Sequence, residues 1–238
     1  MPNFRNKNVL VIGGSSGLGE ATAHAFADAG ASVTIASRSA DKLKAAAERI
    51  GQGVSSVVLD TTDDAAVEAY FAKADAFDHV VVSAAQTPGG LVRELPLADA
   101  YQAMNSKFWG AYRVARVAKI NERGTLTLIS GFLSVRPGQW VLQGAINAAL
   151  ESLGRGLALE MAAQKVRVNT VSPGMIATPL WDGMNAGERQ AMYDKAAATL
   201  PARAVGRPED IANAVVFLAS TPYATGSTVL VDGGGAIA

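Results

Sequence analysis

Short apolar runs alternate with amphipathic stretches along almost the whole chain. The runs are rich in Val and Ile and are apolar on both faces, which is typical of buried parallel strands. They predict seven strands, at residues 8–12, 32–36, 54–59, 79–82, 125–130, 166–171 and 228–231. Helical periodicity predicts helices at residues 18–29, 41–50, 63–74, 97–120, 140–163 and 208–219.

This alternation predicts an α/β fold: a doubly wound parallel sheet with helices on both faces. No linker, repeat or composition break interrupts it, so residues 1–238 are expected to form a single domain. Residues 175–201 make a long connection between two predicted strands. Such a segment at the carboxyl edge of a parallel sheet often covers a ligand, but an ordinary pair of surface helices is the other interpretation.

Composition narrows the classes of partner and chemistry. Hydrophobic residues make up 49 % of the chain and charged residues 18 %, so a large core is available and disorder is disfavoured. The 21 basic and 21 acidic residues cancel, which offers no general attraction to nucleic acid or to an anionic membrane. The absence of Cys excludes disulfides, thiolate metal sites and a Cys nucleophile, and no metal cluster is predicted. No apolar signal or membrane span is present, so we expect a cytoplasmic protein.

A glycine-rich turn joins the first predicted strand to the first helix. Gly13 suits a tight turn, Gly17 allows a close backbone approach to a diphosphate, and Gly19 allows the helix to pack on the strand. The diphosphate would then meet the positive end of the helix dipole, beside Ser15, Ser16 and Leu18. This position in a β-α-β unit predicts a Rossmann-type dinucleotide site.

The end of the second strand indicates the type of dinucleotide. An NAD(H) site would place an acidic residue there to bind the ribose 2′-hydroxyl. This chain has Ser37 and Arg38, a hydroxyl and a planar cation suited to a 2′-phosphate. NADP(H) is therefore the preferred cofactor and NAD(H) the less favoured one. A solvated loop Arg is the alternative interpretation of Arg38.

Over its full length the chain resembles the classical short-chain dehydrogenases/reductases. The glycine turn matches the family pattern from Gly13 to Gly19, and the end of the chain matches its Val-Asp-Gly-Gly signature at residues 231–234. The resemblance implies that Asn105 and Ser130 are catalytic. It implies dinucleotide contacts for Asp60 and Thr61, for Ser83, Ala84 and Ala85, and for Pro173, Gly174, Ile176 and Thr178.

The resemblance fails at the residues expected to transfer a proton. Where the family places Tyr and, four residues later, Lys, this chain has Gln143 and Asn147. A Tyr whose pKa is lowered by Lys can protonate a developing alkoxide near neutral pH, but Gln has no such proton. The amide of Gln143 and the hydroxyl of Ser130 can still donate hydrogen bonds, and Asn147 can contact ribose hydroxyls.

No evident replacement for the missing acid emerges from the sequence. Tyr112 is expected to pack in a core or interface, and Lys107, two residues beyond Asn105, is expected to point elsewhere on its helix. Arg136 is interpreted either as a site for an anionic substrate or as a solvated loop residue. His24 and His79 are expected to be structural.

Two functions are favoured at this point over a third, a non-redox lyase or isomerase, for which the sequence positions no base. One is an NADP(H)-dependent oxidoreductase with an altered site, acting on a carbonyl, an alcohol or an activated alkene. The other is an NADP(H)-binding protein without redox turnover, serving as a sensor or oligomer partner. An apolar small-molecule substrate is suggested by Phe132, Leu133, Trp140, Leu180, Trp181 and Met184. Small and apolar residues surround the helix at 140–163, which predicts a homodimer or homotetramer, as the resemblance also implies.

Overall fold

The computed structural model describes residues 2–51, 53–86 and 88–238, which leaves Met1, Gln52 and Thr87 outside the description. It confirms the predicted fold class. Seven parallel strands form one sheet in the order β3-β2-β1-β4-β5-β6-β7. The strands are β1 (Asn8–Ile12), β2 (Ser32–Ser37), β3 (Val54–Val58), β4 (Phe77–Val82), β5 (Ile120–Ile129), β6 (Arg167–Pro173) and β7 (Thr228–Val231).

Helices cover both faces of this sheet. They are α1 (Gly17–Asp28), α2 (Ala40–Ile50), α3 (Asp64–Lys73), α4 (Leu97–Met104), α5 (Gly110–Val117), α6 (Val141–Glu160), α7 (Ala186–Thr199) and α8 (Pro208–Ser220). Side chains alternate across the strands and so divide the core in two. Leu10 and Ile12 belong to the cluster that includes residues of α3, α5 and α6, whereas Val9 and Val11 belong to the cluster with residues of α1, α2 and α8.

The helix predicted at residues 97–120 is not continuous. A π-helical segment, Asn105–Trp109, separates α4 from α5, and the helix ends at Val117. β5 then begins at Ile120 rather than at residue 125, with an irregular register against β4 before Thr125. π-Helical turns concentrate at functional sites, so this interruption draws attention to the side chains that it carries.

The connection at residues 175–201 holds a short 3₁₀ turn, Pro179–Trp181, followed by α7. No residue of α7 is fully buried, although Trp181 attaches the segment to the sheet edge by donating from Nε1 to the Ile176 carbonyl at 3.0 Å. In the described part of the chain, every helix is too short or too polar to span a bilayer.

Candidate active site

The predicted dinucleotide residues lie at the carboxyl edge of the sheet, around the point where the strand order reverses between β1 and β4. Open α/β sheets bind ligands at this switch point. The residues at or after these strand ends are Gly13, Ser15, Ser16, Gly17, Leu18 and Gly19 (β1), Ser37 and Arg38 (β2), Asp60 and Thr61 (β3), Ser83, Ala84 and Ala85 (β4), and Pro173, Gly174, Ile176 and Thr178 (β6).

The glycine turn has the backbone that a phosphate cradle requires. Gly13 has φ of 87° and Gly17 has φ of 54°, values that favour glycine. A Cβ on Gly13 would lie 2.6 Å from the Ala84 nitrogen, so the turns after β1 and β4 contact each other directly. A Cβ on Gly17 would point toward Thr178, 3.6 Å from its Cβ. The turn and the segment after β6 therefore face each other across a narrow gap.

The first turn of α1 also suits an anion. Its N-cap residue, Ser16, makes no side-chain capping hydrogen bond, so the N–H groups of this turn keep their donor capacity. A Cβ on Gly19 would lie 2.1 Å from the Gly13 carbonyl oxygen, which shows how closely the helix packs on the turn. Glycine backbone and a positive helix end together fit a dinucleotide diphosphate.

At the end of β2 the structure shows groups suited to a 2′-phosphate. The Ser37 Oγ is buried and, among the described residues, has no hydrogen-bond partner. Arg38 is exposed beside it and close enough to Asp60 to act on that carboxyl. Burial raises the pKa of Asp60, but hydrogen bonds from Thr62 and the charges of Arg38 and Arg113 outweigh it, so the pKa lies below its ordinary value.

Gln143 and Asn147 lie one turn apart in α6, both buried. Gln143 donates from Nε2 to the Pro88 carbonyl. Asn147 accepts at Oδ1 from the Lys107 ammonium, with 2.6 Å between Oδ1 and Nζ. Lys can only donate, so the atom of Asn147 that faces it must be the oxygen. On the other side, a Cβ on Gly131 would lie 2.7 Å from Asn147 Nδ2.

The expectation for Lys107 is wrong. Its ammonium reaches the site from the π-helical segment and also donates to the Ser130 carbonyl at 2.8 Å. Burial lowers the pKa of Lys107 to about 8, although the charge of Glu151 partly opposes this effect. The prediction assumed that the Asn105 side chain faces the site. Because residues two apart lie on opposite sides of a helix, it followed that Lys107 would face away. The observed contacts place Lys107 on the inward side.

Ser130 presents its side chain to the protein interior. It is 4 % exposed, and its Oγ lies 2.9 Å from Glu151 Oε1 and 3.4 Å from the Val171 carbonyl. The same carboxylate oxygen accepts from Ser134 at 2.6 Å and from Ser172 at 3.2 Å. Sequence reasoning missed Glu151. The sequence does indicate it, because an acidic residue lies on the same apolar helix face as Leu150, Gly154 and Leu157.

Asn105 begins the π-helical segment, and its backbone carbonyl accepts from Arg113 at 3.4 Å. Among the described residues the Asn105 side chain makes no hydrogen bond to Ser130 or Asn147, as Lys107 does. The catalytic roles expected for Asn105 and Ser130 therefore remain predictions, while the direct contact with Asn147 is made by Lys107.

The other candidates have structural partners. Arg136 donates to the Gly235 carbonyl at 2.5 Å, and Tyr112 packs with Phe108 and Trp109 on the outer side of α5. Of the two histidines, His79 is buried and hydrogen-bonded to Thr125 at 2.8 Å, as its structural interpretation predicted. Within the described residues no group of three or more acidic or His side chains is placed to hold a metal ion.

Two of the predicted apolar pocket residues meet beside the site. The rings of Trp140 and Trp181 are stacked, with centroids 6.0 Å apart and planes 27° apart. Trp140 is 40 % exposed and precedes α6, while Trp181 belongs to the connection after β6. Leu180, in contrast, is 71 % exposed and points away from any core. The tryptophan pair gives the mouth of the site an aromatic wall.

Comparisons with known proteins agree with this architecture. A family model described as Enoyl-(Acyl carrier protein) reductase matches residues 13–235. The 3-oxoacyl-(acyl-carrier-protein) reductase FabG of Chlamydia trachomatis is 30 % identical over 245 residues, 96 % of this chain and 97 % of the relative. Glucose 1-dehydrogenase of Gluconobacter oxydans is 30 % identical over 253 residues, 97 % and 92 % of the two chains. A small-chain dehydrogenase solved in complex with NADPH is 33 % identical, with a TM-score of 0.81 and coverage of 98 % and 99 %.

Proposed function

Because the chain belongs to the classical short-chain dehydrogenase/reductase family of oxidoreductases, we propose that it is an NADP(H)-dependent member acting on a small carbonyl, its alcohol or an activated alkene. The relatives are named for reduction of oxoacyl groups and oxidation of a sugar, so hydride exchange with an oxygen-bearing carbon is the shared chemistry. The altered residues at positions 143 and 147 set this chain's site apart from the family pattern.

The preference for NADP(H) depends above all on the end of β2. Ser37 supplies a buried hydroxyl without a protein partner, and Arg38 supplies an exposed guanidinium beside it. A dianionic 2′-phosphate satisfies both, whereas the hydroxyl of NAD(H) offers no anionic group to the guanidinium. The NADPH-bound relative supports the same assignment.

The bound dinucleotide supplies the hydride, and the chain has to orient the substrate and manage its proton. Gln143 is committed to the Pro88 carbonyl through Nε2, which ties α6 to the loop after β4. Asn147 is committed to Lys107. Trp140 and Trp181 form the aromatic wall against which an apolar or aromatic substrate packs. As far as Gln143 and Asn147 alone determine it, substrates that need little help with protonation, such as conjugated alkenes and activated carbonyls, suit this arrangement best.

A dinucleotide-binding protein without redox turnover is the second candidate. The observation that favours it is the burial of Gln143 and Asn147, neither of which has a proton to give near neutral pH. Such a protein would keep the nucleotide half of the site for sensing or assembly.

One experiment separates these candidates. The purified protein is titrated with NADPH and with NADH, and NADPH oxidation is then followed by absorbance across aldehydes, ketones, quinones and enones. We expect tighter binding of NADPH and turnover in at least one substrate class. Binding without turnover would support the second candidate, and no binding of either dinucleotide would contradict both.

We also propose a cytoplasmic homodimer or homotetramer of single-domain subunits. The outer side of α6 exposes Ala145, Ala148, Ser152 and Leu159 at helical spacing, while its inner side is buried by the sheet. Small exposed residues at this spacing allow close packing against a second copy. Sedimentation velocity of the wild type and of Ser152→Arg tests this, since an Arg at that surface should shift the assembly toward the monomer. Glu48→Arg on α2 is the matched control.

A further inference from the structure

The strongest unassigned feature of the molecule is the ammonium of Lys107. It comes from the π-helical segment between α4 and α5 and contacts two other elements, the end of β5 and α6. Its two hydrogen bonds go to neutral oxygens, the Ser130 carbonyl and Asn147 Oδ1. A buried ammonium without a directly bonded carboxylate is costly, and such costs concentrate at functional sites.

We propose that Lys107 is the proton donor of the reduction, taking the part that the family gives to the Tyr missing at position 143. This inference rests on the proposed oxidoreductase function. Asn147, which stands where the family has Lys, holds the ammonium at 2.6 Å. The positive charge thus lies beside position 147 although it arrives from a different helix.

The geometry leaves Lys107 able to give a proton. An ammonium has three N–H donors, and Ser130 and Asn147 take two of them. The third is available to a substrate oxygen. Because burial lowers the pKa of Lys107 to about 8, the acid is mostly protonated at neutral pH and still releases its proton readily. Ser130, by contrast, is turned inward to Glu151.

The step is balanced without a further reactant. The carbonyl carbon gains a hydride, with its two electrons, from NADPH, which is oxidised to NADP⁺. The carbonyl oxygen gains a proton from Lys107 Nζ, and the substrate becomes an alcohol. Lys107 is left as a neutral amine and regains its proton from water.

Charges around Lys107 determine how it titrates. From α6 it faces Glu151, whose charge raises the pKa of Lys107 and partly opposes burial. From the end of β5 it meets the uncharged Ser130 carbonyl. Substitution of Glu151 by Gln should therefore lower the pKa of Lys107 further. Glu151 itself gives no proton to the substrate, so it affects the reaction only through this pKa.

The test measures kcat for NADPH-dependent reduction against pH in the wild type and three variants. Wild-type kcat should fall as pH rises above about 8, because the acid is lost. Lys107→Met should lower kcat by about 10²–10⁴-fold and remove this alkaline limb, with NADPH binding retained. Lys107→Arg keeps the positive charge, but Arg does not lose its proton in this pH range, so the alkaline fall in kcat should also disappear. Lys73→Met, at an exposed lysine that ends α3, should match the wild type.

A second measurement does not depend on turnover. In ¹³Cε NMR of the lysines, the resonance missing from Lys107→Met should titrate near pH 8 in the wild type, and at lower pH in Glu151→Gln. Titration at about 10.4, the ordinary lysine value, would overturn the proposal. So would a Lys107→Met enzyme that keeps its rate and its alkaline limb, even though the oxidoreductase function would stand. If the wild type bound NADPH but reduced none of the tested substrates, that result would overturn both the role of Lys107 and the oxidoreductase function.

Discussion

The hydroxyl of Ser130 and the carboxylate of Glu151 form a buried hydrogen bond of 2.9 Å. Because Ser134 and Ser172 donate to the same oxygen, Glu151 joins the loop after β5, the strand β6 and the helix α6. Glu151→Ala should lower the free energy of unfolding by about 3–5 kcal/mol, since three hydroxyls lose a charged acceptor. Urea denaturation measures this loss. Glu160→Ala, at an exposed position of the same helix, should have little effect, and an equal loss there would contradict the role given to Glu151.

Gly131 leaves the space in which Asn147 holds Lys107. A Cβ there would lie 2.7 Å from Asn147 Nδ2, so Gly131→Ala should push the amide toward Lys107 and disturb both hydrogen bonds of the ammonium. We expect about a 10-fold or greater loss of kcat, because a misplacement near 1 Å costs up to about 100-fold. Gly183→Ala is the control, since a Cβ on that exposed glycine would meet nothing within 4 Å. Unchanged kcat in Gly131→Ala would show that Asn147 is not constrained in this way.

Arg38 should decide which dinucleotide binds. Replacing it by Ala removes a charge-assisted contact worth about 1.5–3 kcal/mol, so NADPH affinity should fall about 10- to 150-fold while NADH affinity changes little. Arg38→Lys should lose less, because it keeps the charge but not the planar fork. Fluorescence titration with both dinucleotides gives the ratio. If Arg38→Ala weakened NADPH and NADH equally, the guanidinium would not contact the 2′-phosphate.

His79 should make stability depend on pH. Its ring packs against those of Phe4 and Phe26, and burial, with smaller effects of nearby charges, lowers its pKa from 6.5 to about 4. Between these values the unfolded chain binds a proton that the folded protein excludes. The free energy of unfolding should therefore fall, by up to about 3 kcal/mol, as pH falls from 6.5 toward 4.

Urea midpoints at pH 7.5, 6 and 4.5 measure this slope. His79→Gln should be less stable at pH 7.5 because packing is lost, but its stability should change less over the interval. His24→Gln, at a surface histidine beside Asp28, is the matched control. A wild-type midpoint that stayed constant from pH 7.5 to 4.5 would argue against a buried neutral His79.

The strands were predictable because a strand that is buried on both faces consists almost entirely of apolar residues. All seven were located, with ends displaced by a few residues except at β5, whose first five residues were missed: Ile120 was assigned to the preceding helix and residues 121–124 to no element. That region misleads because Val117, Ala118 and Ile120 continue an apolar helical pattern. The π-helical segment was also beyond prediction, since a changed hydrogen-bond pattern leaves the residue types of a helix unaltered.

The site was predictable where the backbone defines it and less so where side chains reach across elements. The positive φ angles of the glycine turn favour glycine, so Gly13 and Gly17 could be assigned roles from the residue types alone. Lys107 could not, because its position depends on the helical phase and on a long flexible side chain that meets residues 23 and 40 positions away. Glu151 was detectable in principle, as a charge among buried helix positions.

The π-helical segment has a consequence for how the chain tolerates changes in length. A π-helical turn contains about one residue more than an α-helical turn, so a single deletion within residues 105–109 would let the helix run on as a regular α-helix. Four α-helical residues, at about 100° each, turn the chain nearly as far as the five residues of this segment, so α5 would keep its orientation. Arg113 would stay beside Asp64, and Val114 would stay in the core. The loss of a single codon here would therefore leave the fold intact and change only the position of Lys107 relative to Ser130 and Asn147.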